Sequence, residues 1–294
     1  MASPSAATDD TSKFPSFEAL FDAAGRTKPG EEVGYPKVSP SLGRLRWSLD
    51  GPLETSVSVM AYRRISPGPP PDEPYYYQKP ALSGDNGVVA GAGSGSGSGS
   101  WHPISQDALV EPRVSSITVD VVSLQDWEKH WIEAHEGHYH PSMDLDPAQT
   151  RIGPLPDTDP DDPTGGWHYV TGLYADENGE YTGHLLRCCG MDRPLNSDER
   201  FKFVVEAKGE RGFLTVYDYV DQVHRCLKGW REEILEATAL ERECRGHEPF
   251  SGEERLMVGA YGKWVEIMDE EEWAYVHVQR VPGVQNLPPT TIVG

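Results

Sequence analysis

From Ser66 to Glu111 the chain carries no pattern from which a core could be built. "PGPPPDEPYYYQKP" reads as extended, polyproline-like chain and "GAGSGSGSGS" as a flexible spacer. Whatever folds must be assembled from the sequence on either side, with 66–111 as an insertion. A second interruption, 141–166, is acidic and rich in proline. Residues 1–34 and 282–294 read as tails. Hydrophobic content of 37%, with 30 glycines and 25 prolines, fits a folded body interrupted in this way. Eight tryptophans argue that the body has a real core.

Periodicity supplies the elements of that body. "TSVSVMAYRRI" and "EPRVSSITVDVVS" alternate like strands, and so does "RFKFVVEA". "GWHYVTGLYADENGEYTGHLLRCC" predicts a hairpin around Asn178-Gly179, with His168 and His184 facing each other across its arms. Three helices are predicted near 124–135, 215–230 and 252–268. Each opens on a hydroxyl residue with an acid three positions on: Ser123 with Asp126, Thr215 with Asp218, Ser251 with Glu254. The second buries Tyr219, Val220, Val223, Leu227 and Trp230. The third runs its stripe through Val258, Tyr261, Trp264 and Met268, after which "WAYVHVQRV" is predicted as a closing strand. The expected fold is α+β: a single domain, 35–281, with an antiparallel sheet packed against about three helices and long disordered insertions.

Three segments in order, "SPSLGRLRWSL", "FLTVYDYVDQVHRCL" and "RLMVGAYGKW", give the stretch from Pro40 to Val281 a resemblance. It is similar to a fungal family of domains of unknown function that open on Pro-x-Leu…Leu-x-Trp-Asp-Leu and later carry a Thr-Val-x-Asp-Val helix start. Ser48 stands where that family usually has Asp. The resemblance implies one α+β domain, a fungal source and an insertion lying inside the domain. It implies no activity and no catalytic residues.

A net charge of −21 without a basic patch argues against nucleic-acid and membrane-surface partners. No window approaches the roughly eighteen apolar residues of a membrane span. The N-terminus lacks the basic start and apolar run of a secretory signal, so the expected setting is cytoplasmic or nuclear. The expected partner is a protein. Its candidate contact is "FPSFEALF", where Phe14, Phe17, Leu20 and Phe21 make an apolar stripe on a short helix, a stripe equally suited to packing on the chain's own domain.

Reactive groups concentrate in "KHWIEAHEGHYHPSMDLD". His130 and His135 are five residues apart, about 140° off register on a helix, and do not aim at one ion. His135 near the helix end, with His138 and His140 past the stop at Gly137, are the candidate metal ligands. Three imidazoles and a water would form an open zinc site suited to hydrolysis. The spacing is not His-Glu-x-x-His, however, and a histidine in a last helical turn also suits the helix dipole. No nucleophile elbow, phosphate loop or dinucleotide fingerprint occurs, so no catalytic residue is named. Cys188, Cys189, Cys226 and Cys244 lack metal-type spacing. The adjacent pair reads as strand neighbours on opposite faces, with a redox pair as the alternative. The sequence therefore favours a non-enzymatic interaction or scaffold module without cofactor, against a zinc hydrolase or a small-ligand-binding domain.

Overall fold

A computed structural model describes residues 13–26, 34–60, 72–78, 99–135, 138, 146, 148–155, 173–175, 181–195, 197–250 and 255–278. His140, His168, the Asn178-Gly179 turn and the Ser251 and Glu254 pair lie outside them. The architecture is α+β, with antiparallel strand pairs and helices. The chain divides into two compact units. One comprises Met1–Thr118, Val204–Lys228 and Glu254–Gly294, the other Val119–Phe203 and Gly229–Glu253. Among the described residues no helix is long and apolar enough to cross a membrane.

A four-stranded sheet has the order Phe203–Glu206, Ser116–Val121, Trp264–Met268, Met257–Tyr261. The unit boundary falls within the first two of these strands. Leu45–Trp47, Val57–Val59 and Glu73–Pro74 form a second, three-stranded sheet. Two described parts of the stretch 66–111, 72–78 and 99–111, form strands. Tyr76–Tyr77 pairs with Ser100–Trp101, and Val110–Glu111 pairs with Lys37–Val38. Tyr75 and Leu109 supply the physical reason, since both side chains are fully buried.

The helix Val216–Gly229 starts as its sequence requires. Thr215 Oγ1 accepts the Asp218 backbone N–H at 3.1 Å, and the Asp218 carboxylate accepts the Thr215 N–H at 3.1 Å. Tyr219, Val220, Val223 and Leu227 are fully buried. The Tyr219 hydroxyl donates to the Gly262 carbonyl at 2.6 Å.

That carbonyl belongs to a turn where a helix was expected. Residues 257–268 form a hairpin, Met257–Tyr261 against Trp264–Met268, in register from Met257↔Met268 to Tyr261↔Trp264. The two-residue loop Gly262-Lys263 decides it. Gly262 has φ 78°, the left-handed conformation that a tight hairpin turn requires, and a Cβ there would meet Val38 Cγ2 at 2.5 Å. The predicted closing strand is likewise a helix, Glu270–Val278. Asp269 Oδ1 caps it by accepting the Glu272 N–H at 2.7 Å, and three glutamates occupy its positive first turn. Trp273 is buried and stacks on His277 one turn later, with centroids 4.6 Å apart.

Trp47, also buried, donates its indole N–H to His224 Nδ1 at 3.1 Å, and His224 Nε2 lies 3.2 Å from the Gly51 carbonyl. Both contacts are satisfied by the neutral ring with its proton on Nε2. Burial pulls the His224 pKa below its ordinary 6.5. The native state therefore binds this proton less readily than the unfolded chain does. The resulting stability is fully present above about pH 6.5 and is lost as pH falls through the lower native value. Chemical denaturation at pH 7.5 and pH 5 is expected to show that loss, flattened in His224→Gln. Thr215→Ala, which removes the cap from a buried carboxylate, is expected to cost about 2 kcal/mol in the same measurement.

Candidate metal centre

The second unit carries the convergent chemistry. The strand Ser116–Val121 runs directly into a short helix, Val122–Gln125, followed by a second one, Trp127–His135. Ser123 is not the predicted cap. It sits inside the first helix, and its Oγ is buried with no hydrogen-bond partner among the described residues. The apolar face buries Leu124, Trp127 and Trp131. It packs against a helix the sequence reading passed over, Arg231–Cys244, whose Ile234, Ala237 and Leu240 are buried. Their helical spacing in "REEILEATALEREC" was the available signal.

His135 closes the helix Trp127–His135 and is 2% exposed. Its Nδ1 lies 2.7 Å from the Trp131 carbonyl, one turn back, and the ring stacks on the Trp131 indole. A proton on Nδ1 satisfies that carbonyl and leaves the lone pair on Nε2. This is the backbone anchor that metal-bound histidines characteristically use to fix tautomer and ring angle. His138 stands edge-on to His135, with centroids 5.5 Å apart.

Two cysteines complete the group. His138 Nδ1 is 3.3 Å from Cys189 Sγ and 3.9 Å from Cys188 Sγ, and the sulfurs are 3.8 Å apart. One ligand atom from each of His135, His138, Cys188 and Cys189 lies within 4.8 Å of all the others. A zinc ion about 2.3 Å from two thiolates in a tetrahedron separates the sulfurs by about 3.8 Å and each sulfur from an imidazole nitrogen by about 3.5 Å. The observed distances match the first value and bracket the second. The residues fit a tetrahedral ion with nitrogen and sulfur donors.

The cysteines are not on opposite faces, as strand alternation had suggested. The strand Tyr181–Cys188 ends at Cys188. Cys189 then adopts φ 52° and Gly190 φ 80°, which bring both sulfurs to one side. Neighbours hold this turn: the Gly190 N–H donates to the Gln149 carbonyl at 3.1 Å, and Arg187 Nη2 donates to the Gly190 carbonyl at 2.8 Å. Burial and, after it, the adjoining Cys189 sulfur push the Cys188 thiol up to about 11. Without a cation, Cys188 is thus an inert thiol.

Of the three predicted ligands, the structure brings together His135 and His138, while His140 lies outside the described residues. His130 is buried apart from them and offers its carbonyl to the Cys244 thiol at 3.5 Å. His184, at 2% exposure, lies mid-strand in register with Leu173 and Gly153.

The predicted partner segment packs on its own unit. Phe14 meets Phe213 edge-on at 5.8 Å, Phe17 is buried and Leu20 half-buried. Glu18 accepts the Thr118 N–H at 2.7 Å. Phe21, 46% exposed, turns outward beside Tyr35. A cleft of about 170 Å³ elsewhere in this unit is lined by Arg46, Arg255, Asp72 and several hydroxyls. Its charges already face partners, Arg46 with Glu270 and Asp72, and Arg255 with Glu270 and the Ser48 hydroxyl.

No family model, curated protein or solved structure matches this chain.

The two halves of the centre are tied by one ion pair. Arg193, 6% exposed, donates from Nε to the Glu128 carboxylate at 2.8 Å and from Nη1 to the Leu185 carbonyl at 3.4 Å. It thereby joins the helix that ends in His135 to the strand that ends in Cys188. Arg193→Met removes this tie and is expected to cost about 2 kcal/mol in chemical denaturation, the worth of a hydrogen bond between charged groups.

Proposed function

We propose that the chain is a zinc-stabilised, non-enzymatic interaction module. Its ion is held by His135, His138, Cys188 and Cys189. The observation that carries this reading is the donor set: two imidazoles and two sulfurs whose ligand atoms lie within 4.8 Å of one another, with the sulfurs 3.8 Å apart and the buried histidine fixed by a backbone carbonyl. Soft thiolates with imidazole select zinc over magnesium or calcium, and four protein ligands fill a tetrahedron. A hydrolytic zinc site keeps one position for water, so the donor set supports a structural ion over the hydrolase alternative.

Interaction rather than chemistry is supported by what surrounds the centre. His135, His138, Cys188 and Cys189 form the one such ligand cluster among the described residues. The chain is strongly acidic and carries Pro-, Gly- and Ser-rich stretches, a composition suited to contact with basic protein partners and not with phosphate backbones. The fungal family resemblance supplies no activity to weigh against this. The four cysteines are all free thiols, in keeping with a reducing intracellular setting.

The test is elemental analysis of protein purified without a histidine tag. One zinc per chain is expected, and Cys188→Ala is expected to lose it. Free zinc at one hundred times its Kd should add about 2.7 kcal/mol to the unfolding free energy, an increment that chelator removes. Metal-free protein whose unfolding is unchanged by zinc would sink the reading.

A further inference from the structure

We propose that Cys188 and Cys189 are an oxidative modification site at which a hydroperoxide converts the zinc-bound pair to a disulfide and releases the ion. The inference rests on the zinc reading above and concerns the regulation of the same centre.

The two sulfurs divide the roles that such a reaction needs. Cys189 is exposed, as is His138, while Cys188 is 3% exposed and His135 is buried. Oxidant therefore reaches Cys189 first. Sensor cysteines are accessible thiolates placed beside a second thiol that resolves them, and a bound cation supplies the thiolate form. The resolving sulfur already lies 3.8 Å away, because the left-handed backbone of Cys189 has turned it to the same side. Neither other cysteine is placed for this role: Cys226 is half-buried in the first unit, and Cys244 faces the His130 carbonyl.

The steps balance. The Cys189 thiolate attacks the terminal oxygen of the hydroperoxide. The O–O bond breaks and the alkoxide leaves, taking a proton to become the alcohol, so that Cys189 is a sulfenic acid. The Cys188 thiolate then attacks the Cys189 sulfur, the S–O bond breaks, and hydroxide leaves as water with a second proton. Two thiolates have been oxidised by two electrons and one peroxide bond reduced. The ion keeps only His135 and His138, having lost both soft donors, and dissociates. The change is reversible by thiols. Adjacent residues have Cα atoms about 3.8 Å apart, below the roughly 4.4 Å lower bound of relaxed disulfides, and strained disulfides are readily reduced.

The test uses the full, zinc-loaded chain titrated with hydrogen peroxide. Zinc release is followed with a chromogenic zinc indicator and the product with intact mass and peptide mapping. The expected result is one zinc released per chain that loses two hydrogens in mass, with the linkage inside the peptide bearing Cys188 and Cys189. Thiol reductant should restore zinc binding, and the double variant Cys226→Ser/Cys244→Ser should behave identically. Zinc retained after peroxide, zinc lost to over-oxidised sulfur without a disulfide, or a linkage elsewhere overturns this inference and leaves the structural zinc reading standing. A chain that binds no zinc before oxidation overturns both.

Discussion

A β-strand sends consecutive side chains to opposite faces, so two neighbouring cysteines in a strand cannot hold one ion. The centre depends on breaking that rule at one residue. Cys189, with φ 52°, takes a backbone conformation that costs a non-glycine residue about 1–2 kcal/mol. The backbone hydrogen bond from Gly190 to Gln149 and the Arg187 contact to the Gly190 carbonyl hold the chain there. Gly190, at φ 80°, continues the turn without further penalty. The pairing of the two sulfurs is thus a property of the turn and does not wait for a metal to impose it.

The nitrogen half is organised just as independently. His135 is placed by the packing of its helix on the helix Arg231–Cys244, and its ring is fixed by Trp131 from below and from the carbonyl side. The Arg193 and Glu128 pair then ties the helix to the strand end that carries the cysteines. Arg193 also engages the Leu185 carbonyl, so a single side chain reads the positions of both halves. A site assembled in this way is pre-organised, and an ion arriving at it needs little rearrangement of the exposed His138 and Cys189.

Local signals were legible in the sequence where a few neighbouring residues settle the outcome. Thr215 and Asp218 cap each other within three residues, so the helix they open was evident, as was its buried stripe except for Trp230, which is half-buried and lies past the helix end. The segment 257–268 was misread because Val258, Tyr261, Trp264 and Met268 satisfy helical spacing while the same stretch also serves two strands. The arbiter was Gly262, whose left-handed turn and contact with Val38 no periodicity reveals. The terminal element was misread for the converse reason: "WAYVHV" is rich in strand formers, and the cap at Asp269 overrode them. At the metal centre, the histidine half was visible as a cluster. The cysteine half lies fifty residues from His138, beyond any spacing motif, and adjacent cysteines carry no sign that a turn will bring them together.

That separation also sets the energetic weight of the ion. Joining His138 to Cys188 closes a span of fifty residues that contains the acidic, proline-rich stretch. By the chain-entropy estimate for a cross-link, such a closure removes about 4 kcal/mol of unfolded-state freedom. A bond between Cys188 and Cys189 closes no span at all, since the two residues are adjacent. The same two sulfurs would thus constrain the unit strongly through a shared ion and hardly at all through each other. An ion shared by His138 and Cys188 would hold the two ends of that span together. In the zinc reading, coordination would then add to a core that includes Trp127, Trp131, Leu185, Phe201 and Ile234, because part of the work of closing the chain would fall to the ion.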